Sequence, residues 1–144
     1  MSNTSVAIAS DHAGYPLKAE LVAALGELGY TALDLGTDGA ESVDYPDYGQ
    51  AVADAVAGGR AALGVIVCGT GLGIAMAANR VAGIRAAPCW NTTAARLARQ
   101  HNDANVLALG ARLVGSEVAR DCLAVFLETA FEGGRHQRRV AKLG

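Results

Sequence analysis

Short apolar runs alternate along this chain with longer alanine-rich segments whose apolar residues recur at helical spacing. The pattern predicts strands at residues 6–10, 31–35, 63–67, 84–87 and 106–109. It predicts helices at about residues 16–28, 49–57, 73–79, 92–100 and 116–131, and a short basic terminal helix at 135–142. Pro16 suits the first turn of a helix, and Gly29 suits a helix end.

The alternation of strands and helices predicts right-handed crossovers and a parallel sheet with helices on both faces. We therefore expect one α/β domain over residues 1–144. It would be a doubly wound, Rossmann-like five-stranded parallel sheet flanked by helices, with a C-terminal helix. Five strands favour the order 2-1-3-4-5, and ligands of such folds bind beyond the carboxyl ends of the strands. The order reverses between strands one and three, so the loops after Ser10 and Val67 are the ones to examine.

Composition and charge exclude several classes of protein. Hydrophobic residues make up 51% of the chain and charged residues 18%, which excludes intrinsic disorder. The net charge of −2 argues against a general nucleic-acid binder. No apolar run is long enough for a membrane span, and the first ten residues lack the features of a signal peptide. The three cysteines form no CxxC pair, so we expect a reduced, cytoplasmic protein without a disulfide framework or zinc knuckle.

A glycine-rich loop follows predicted strand three and leads into a helix. Its residues are Cys68, Gly69, Thr70, Gly71, Leu72 and Gly73. Alternating glycines let backbone N–H groups converge on one point, where they can hold a phosphate or the oxyanion of an enediolate. The same positive environment favours the thiolate form of Cys68, which could then act as a base or nucleophile. The alternative is a tightly packed turn in which Cys68 is a small buried hydrophobe.

Polar residues also follow predicted strands one and five. Asp11 and His12 come directly after strand one, where an acid and an imidazole can transfer a proton or bind a phosphoryl or sugar oxygen. The alternative is an aspartate turn with an exposed histidine. Arg112 follows strand five, on the same carboxyl side of the sheet.

A second group of candidates lies at the other edge of the sheet. His101 and Asn102 lie where the fourth helix gives way to strand five, a connection at the amino ends of the strands. A histidine at a helix end usually caps the helix or compensates its dipole. If His101 is catalytic, it must serve the site of another subunit. Arg135 and Arg139 share a helical face and could clamp a phosphate or form a solvated basic tail.

Six regions of the chain together resemble the ribose-5-phosphate isomerase B family, which includes galactose-6-phosphate and allose-6-phosphate isomerases. They are 10–14 (SDHAG), 44–48 (DYPDY), 68–73 (CGTGLG) with 77–80 (AANR), 82–86 (AGIRA), 99–105 (RQHNDAN) and 132–136 (EGGRH). They keep the family's order and span nearly the whole chain. No single region is decisive, but the ordered set is highly specific.

The resemblance implies a role for each candidate. Cys68 falls on the proton-abstracting position, His101 on the acid/base of ring opening, and the loop of Gly69, Thr70, Gly71, Leu72 and Gly73 on the segment that holds the enediolate. Substrate-binding positions fall on Asp11, His12, Asn102, Arg112, Arg135 and Arg139. Part of the family takes its base from a glutamate after the last loop glycine. Ile74 stands there, so the chain resembles the cysteine type.

The resulting prediction is an aldose–ketose isomerase of the non-oxidative pentose phosphate pathway, interconverting ribose 5-phosphate and ribulose 5-phosphate through a cis-enediolate. No metal or cofactor is expected. The expected partners are the sugar phosphate and a second copy of the chain, in a homodimer with shared active sites that could pair into a tetramer. Nucleic acid and membrane are not expected. The alternatives are an isomerase of allose 6-phosphate or galactose 6-phosphate, and a non-enzymatic phosphate- or nucleotide-binding module.

Overall fold

The computed structural model describes residues 4–144. Along this range, strands and helices alternate in the order that the sequence pattern predicts. The strands are β1 (Ser5–Ser10), β2 (Thr31–Asp34), β3 (Leu63–Cys68), β4 (Ala86–Pro88) and β5 (Val106–Gly110). The helices are α1 (Tyr15–Glu27), α2 (Tyr45–Ala57), α3 (Leu72–Ala78), α4 (Thr92–Asn102), α5 (Ser116–Glu128) and α6 (Arg135–Leu143). The first ten residues, in which no signal peptide is expected, include residues 1–3, which lie outside the described range.

These strands form one parallel sheet in the order β2-β1-β3-β5-β4. The doubly wound fold is confirmed, but the predicted order 2-1-3-4-5 is wrong, because β5 lies between β3 and β4. All five residues of β5 are buried, as a central strand requires. β4 has three residues and ends at Pro88, which has no N–H to donate and so suits an edge strand.

The central position of β5 matters for the site. Cys68 at the end of β3 is paired in register with Gly110 at the end of β5. The loop after β5 therefore lies directly beside the loop after β3. In the predicted order, a further strand would have separated the two loops by about 5 Å more.

The direction of the crossovers distributes the helices between the two faces of the sheet. The connections through α1 and α4 run one way along the sheet and those through α2 and α3 run the other way, so right-handed crossovers place the two pairs on opposite faces. One core joins α1, α4 and α5 to the sheet around Leu21, Leu107 and Phe126. The second core joins α2 and α3 to the sheet around Ile66 and Ile74. Burial of each such side chain contributes about 1.5–3 kcal/mol.

Several element boundaries differ from those predicted. Helix α2 begins at Tyr45 rather than at residue 49, with Pro46 in its first turn, where a missing N–H costs nothing. Helix α4 continues to Asn102, which places His101 in its last turn. Helix α5 ends at Glu128 rather than at residue 131, because the backbone turns extended at the next residue. Strand β4 begins at residue 86 rather than 84.

Among residues 4–144, no helix combines the length and the apolar character needed to cross a membrane.

Candidate functional site

The thiol of Cys68 lies at the carboxyl end of β3, with 4% of the residue exposed. The backbone N–H of Gly71 donates a hydrogen bond to its Sγ at 3.1 Å. This contact fixes the position of the sulfur at the start of the loop. Gly71 makes this contact with φ of +79°, a conformation that disfavours residues with a side chain. The loop is therefore shaped around the sulfur of Cys68.

The glycines of this loop also allow close approach to neighbouring elements. A Cβ on Gly110 would lie 2.5 Å from the backbone of Thr70, and one on Gly71 would lie 2.9 Å from the carbonyl carbon of Leu109. A Cβ on Gly73 would lie 2.6 Å from the ring of Tyr45. The loop is thus pressed against the end of β5 on one side and covered by a tyrosine on the other.

Asp11 is held beside Cys68 by its backbone and by its carboxylate. Its N–H donates to the carbonyl of Val67 at 3.2 Å, and its Oδ1 accepts from the N–H of Gly14 at 3.0 Å. The carboxylate is buried, and the turn that carries it lies directly against the strand end that carries the thiol. The aspartate turn considered from the sequence is present, and it places an acid next to the thiol.

The ring of His12 is oriented by the backbone of a loop. The N–H of Val43 donates to Nδ1 of His12 at 3.1 Å, so a neutral His12 carries its proton on Nε2. Asp34, at the start of the connection that carries Val43, pairs with the buried Lys18 at 2.6 Å. This hydrogen bond leaves Nε2 as the donor of the neutral ring.

Arg112 completes the group at this edge. Its N–H donates to the carbonyl of Gly69 at 2.9 Å, and its Nη1 lies 3.5 Å from the position that a Cβ on Gly69 would occupy. The exposed guanidinium therefore lies over the glycine loop. The structure brings together Asp11, His12, Cys68, the loop from Gly69 to Gly73, and Arg112 at the carboxyl ends of β1, β3 and β5.

The remaining candidates lie at the amino ends of the strands. His101 and Asn102 form the last turn of α4, and Arg85, which precedes β4, donates to the carbonyl of Asn102 at 3.1 Å. Exposed Arg135 and Arg139 lie on α6, which packs against α4. The six residues of β3 separate the two edges by about 20 Å. One chain therefore does not bring these four residues to Cys68.

Two histidines meet in this second group. The rings of His101 and His136 stack with centroids 4.3 Å apart and an interplanar angle of 13°. Glu132 lies 3.5 Å from Nε2 of His136, and each of these three residues has one potential ligand atom within 4.8 Å of the others. Two nearly parallel rings direct their nitrogen lone pairs side by side, so the geometry favours a ring contact over shared coordination of a metal ion.

Sequence reasoning assigned no role to Tyr45, Glu132 or His136. The regions 44–48 and 132–136 both contribute to the family resemblance, and no other signal in the sequence pointed to them. Their contacts depend on the fold, because Tyr45 reaches Gly73 and His136 reaches a helix more than thirty residues away.

The residue after the loop and the other two cysteines are poor candidates for the base. Ile74, at the position where part of the family has a glutamate, is fully buried in the core. Burial and the nearby Cys122 raise the pKa of Cys89 to about 12, and burial also raises the pKa of Cys122. Both of these thiols stay protonated at neutral pH, in agreement with a structural role.

A thiol beside a glycine-rich loop, at the switch point of a doubly wound sheet, is typical of α/β proteins that bind a small ligand there. Residues 6–143 match the family model described as Ribose/Galactose Isomerase, and the chain belongs to that family. The family predicted from the ordered motifs is confirmed.

Similar proteins cover almost the whole chain. Ribose-5-phosphate isomerase B of Escherichia coli (strain K12) is 51% identical over 135 residues, 94% of this chain and 91% of that protein. D-erythrulose-4-phosphate isomerase of Pectobacterium atrosepticum is 40% identical over 141 residues, 97% of this chain and 93% of that protein. The solved structure of Clostridium thermocellum ribose-5-phosphate isomerase B superposes with a TM-score of 0.97 at 53% identity, covering 98% of this chain and 95% of that one.

Proposed function

We propose that this chain is an aldose–ketose isomerase that interconverts ribose 5-phosphate and ribulose 5-phosphate. The observation that carries the proposal is the hydrogen bond from Gly71 to the buried sulfur of Cys68, inside a loop of backbone donors. A thiolate next to such donors can remove a proton from a carbon whose neighbouring oxygen then becomes negative. The similarity to ribose-5-phosphate isomerases B along nearly the whole chain supports the choice of substrate.

In the direction from aldose to ketose, the thiolate of Cys68 takes the proton from C2 of the open-chain sugar. The C2–H electron pair forms the C1=C2 bond of a cis-enediolate, and the electrons of the former aldehyde move onto its oxygen. The N–H of Gly71 bonds the thiol and that of Leu72 bonds Thr70, so the other N–H groups of the loop would stabilise that oxygen. Cys68 then returns the proton to C1, while the O2–H bond breaks, its electrons form the C2=O bond of the ketose, and the proton is transferred from O2 to O1. The reaction involves no net redox change, so the proposal invokes no cofactor.

The remaining site residues have supporting roles. The guanidinium of Arg112, which lies over Gly69, and Nε2 of His12 would bind phosphate or sugar oxygens, as would Asp11. Arg135 and Arg139 would bind the phosphate, and Asn102 the sugar. His101 would transfer the proton that opens the furanose ring. Phosphate binding far from the reacting carbons supplies energy for orienting them.

We propose that these two groups meet in a cytoplasmic homodimer, with His101 of one subunit serving Cys68 of the other. A two-fold axis can place the amino edge of each sheet against the carboxyl edge of its partner. An apolar surface next to the loop supports such contact. Leu72 and Met76, one turn apart on α3, are 41% and 69% exposed, and Tyr45 beside them is 42% exposed.

Replacement of Cys68 by Ser tests the proposal with the purified protein. An alcohol is a far weaker base, so kcat for ribose 5-phosphate should fall by at least about a thousandfold, or about 4 kcal/mol, while KM stays near wild type. Cys89→Ser is the matched control, since it removes a thiol away from the loop and should leave turnover of the folded protein intact. A kcat of Cys68→Ser near that of wild type would contradict the assignment of the base.

A comparison of substrates tests the choice of sugar. The same assay with ribose 5-phosphate, allose 6-phosphate, galactose 6-phosphate and erythrulose 4-phosphate should give the highest kcat/KM for ribose 5-phosphate. A higher value for another sugar phosphate would reassign the substrate within the family. A nucleotide or flavin retained by the purified protein, visible in its absorption spectrum, would favour a binding module instead.

A further inference from the structure

We propose that His136 is a positioning residue that holds the imidazole plane of His101 for ring opening. The inference deepens the proposed function, because it rests on His101 as the acid/base of that step. The geometry that carries it is the stack of the two rings, with centroids 4.3 Å apart and planes within 13° of parallel. Stacking of this kind is a favourable contact between aromatic rings, and a ring packed face to face against another resists rotation about its Cβ–Cγ bond.

Burial holds the imidazole ring of His136 in place. Only 6% of the residue is exposed, whereas His101 is half-buried and lies at the end of a helix. The backbone N–H of His136 donates to the carbonyl of Gly133. The side chains of His136 and Val140 are the buried ones on α6. A half-buried ring is therefore stacked against a buried one.

The hydrogen bonds of His136 do not explain its burial. Its Nε2 is buried and has no hydrogen-bond partner among the described residues, and Oε1 of Glu132 lies 3.5 Å away, beyond good hydrogen-bond distance. A buried nitrogen without a hydrogen bond destabilises the folded chain, because it has lost its contact with water and gained no partner. Besides the long contact to Glu132, the ring of His136 makes its stack on His101, so its aromatic face is the part of the side chain that the proposal uses.

The surroundings of His136 keep the ring neutral. Burial lowers its pKa, and the nearby His101 and Arg135 lower it further. Glu132 raises the pKa, and Arg139 lowers it by a smaller amount. A neutral ring can stack against either the neutral or the protonated form of His101, whereas a cationic ring would repel the protonated form. His101 can therefore gain and lose a proton without losing its support.

Ring opening places strict demands on orientation. The O1–H bond and the C1–O4 bond of the furanose break, the C1=O1 bond forms, and the proton is transferred to O4. A single imidazole serves both oxygens only when its reactive nitrogen lies near both of them. Free rotation of the ring of His101 would reduce the fraction of molecules in that geometry, which lowers kcat without weakening phosphate binding.

The test compares His136→Leu with His136→Phe. Leucine fills the space without an aromatic face, and phenylalanine keeps that face. With ribose 5-phosphate we expect kcat to fall at least tenfold in His136→Leu and to stay within about threefold in His136→Phe, with KM unchanged in both. Equal kcat values in the two variants would overturn the inference. A rise in KM would also overturn it, because it would show that the residue supports the arginines of α6 and not His101.

A second readout isolates the ring-opening step. Ribulose 5-phosphate has no furanose form, so incorporation of deuterium from D2O at its C1, followed by NMR, reports proton transfer by Cys68 alone. The rate of this exchange should be the same in wild type and in both His136 variants. Slower exchange in His136→Leu would contradict a role confined to ring opening. If His136→Leu does not fold by circular dichroism, His136→Gln, which is also non-aromatic, takes its place with the same expected result.

His101→Asn separates the failure of this inference from failure of the proposed function. It should lose turnover of ribose 5-phosphate while keeping exchange at C1 of ribulose 5-phosphate. If it keeps both, the assignment of His101 to ring opening is wrong. If it behaves as expected and His136→Leu matches wild type, only the role of His136 is wrong.

Discussion

Gly14 shows how a single residue sets the geometry of the site. A Cβ at this position would lie 2.6 Å from the carbonyl oxygen of Val67 and 2.8 Å from its carbonyl carbon. These are backbone atoms of the residue that precedes Cys68, and they cannot move without moving the strand end. The missing side chain therefore lets the turn of Asp11 lie against the thiol.

We expect Gly14→Ala to destabilise the protein by about 1–3 kcal/mol, because overpacking against backbone forces both segments apart. Urea denaturation measures the change. Gly26→Ala is the matched control: Gly26 lies inside α1, and apart from the adjacent backbone of that helix no atom lies within 4 Å of the position that an added Cβ would occupy, so alanine should stabilise by about 0.5–1 kcal/mol. Equal effects of the two substitutions would show that the close contact at Gly14 has no energetic weight.

The titration of His136 predicts how stability depends on pH. Its folded-state pKa is lowered, chiefly by burial and then by His101 and Arg135, from an ordinary value of 6.5. Between 6.5 and the lower folded-state value, the unfolded chain binds more protons than the folded one, so the free energy of unfolding decreases as pH falls through this window. Urea denaturation at about pH 7.5 and about pH 5.5 should show a smaller loss in His136→Phe than in wild type. The same loss in both proteins would exclude a contribution from His136.

At the scale of elements, α6 presents two different faces. His136 and Val140 are buried, whereas Arg135 and Arg139, one turn apart, are exposed and point away from the core. The buried face attaches the helix to α4, and the exposed face is available to an anion. The helix thus connects the packing of His101 to the proposed binding of phosphate.

Removal of either arginine tests this assignment. Arg135→Ala and Arg139→Ala should each raise KM for ribose 5-phosphate roughly tenfold to a hundredfold, because loss of a charge-assisted hydrogen bond costs about 1.5–3 kcal/mol. Arg138→Ala is the control on the same helix: this arginine is also exposed, but the proposal gives it no contact with the phosphate, so KM should stay unchanged. Wild-type KM in both single variants would mean that α6 carries only a solvated basic surface.

At the scale of the whole molecule, the proposed catalytic residues lie at opposite edges of one sheet. Cys68 ends β3, and His101 precedes β5 by a short connection at the amino ends of the strands. About 20 Å of strand separates these edges, which is beyond the reach of one imidazole. A site that uses both residues therefore needs two chains.

Mixing two inactive variants tests the shared site. After exchange of subunits between Cys68→Ser and His101→Ala, half of the dimers should be mixed, and one of the two sites in each mixed dimer would contain neither substitution. Activity should then rise to roughly one quarter of wild type, by the symmetry of the dimer. Unmixed samples of each variant are the controls. No recovery, once exchange is verified with labelled subunits, would place both residues in a site within one chain.

Local patterns in the sequence account for much of what the structure contains. The alternation of apolar strands with amphipathic helices predicted the order of the elements from β1 to α6, because side-chain periodicity and the turn residues Pro16 and Gly29 act over a few neighbouring residues. The glycine-rich sequence after β3 allows the positive φ that Gly71 adopts, since such a φ is largely restricted to glycine. Asp11 and His12 could be singled out for the same reason, because they are adjacent in the sequence and directly follow a predicted strand.

Only the tertiary structure decided which of these segments are neighbours. The position of β5 between β3 and β4 depends on how strands compete for burial, and it is this position that brings Arg112 to Gly69. The stack of His101 on His136 joins two helices that are separate in sequence. Burial of apolar surface does not depend on how far apart residues lie in the sequence, so packing creates contacts that no local sequence pattern encodes. The sequence by itself determined the elements and their chemistry, and packing determined which residues share a site.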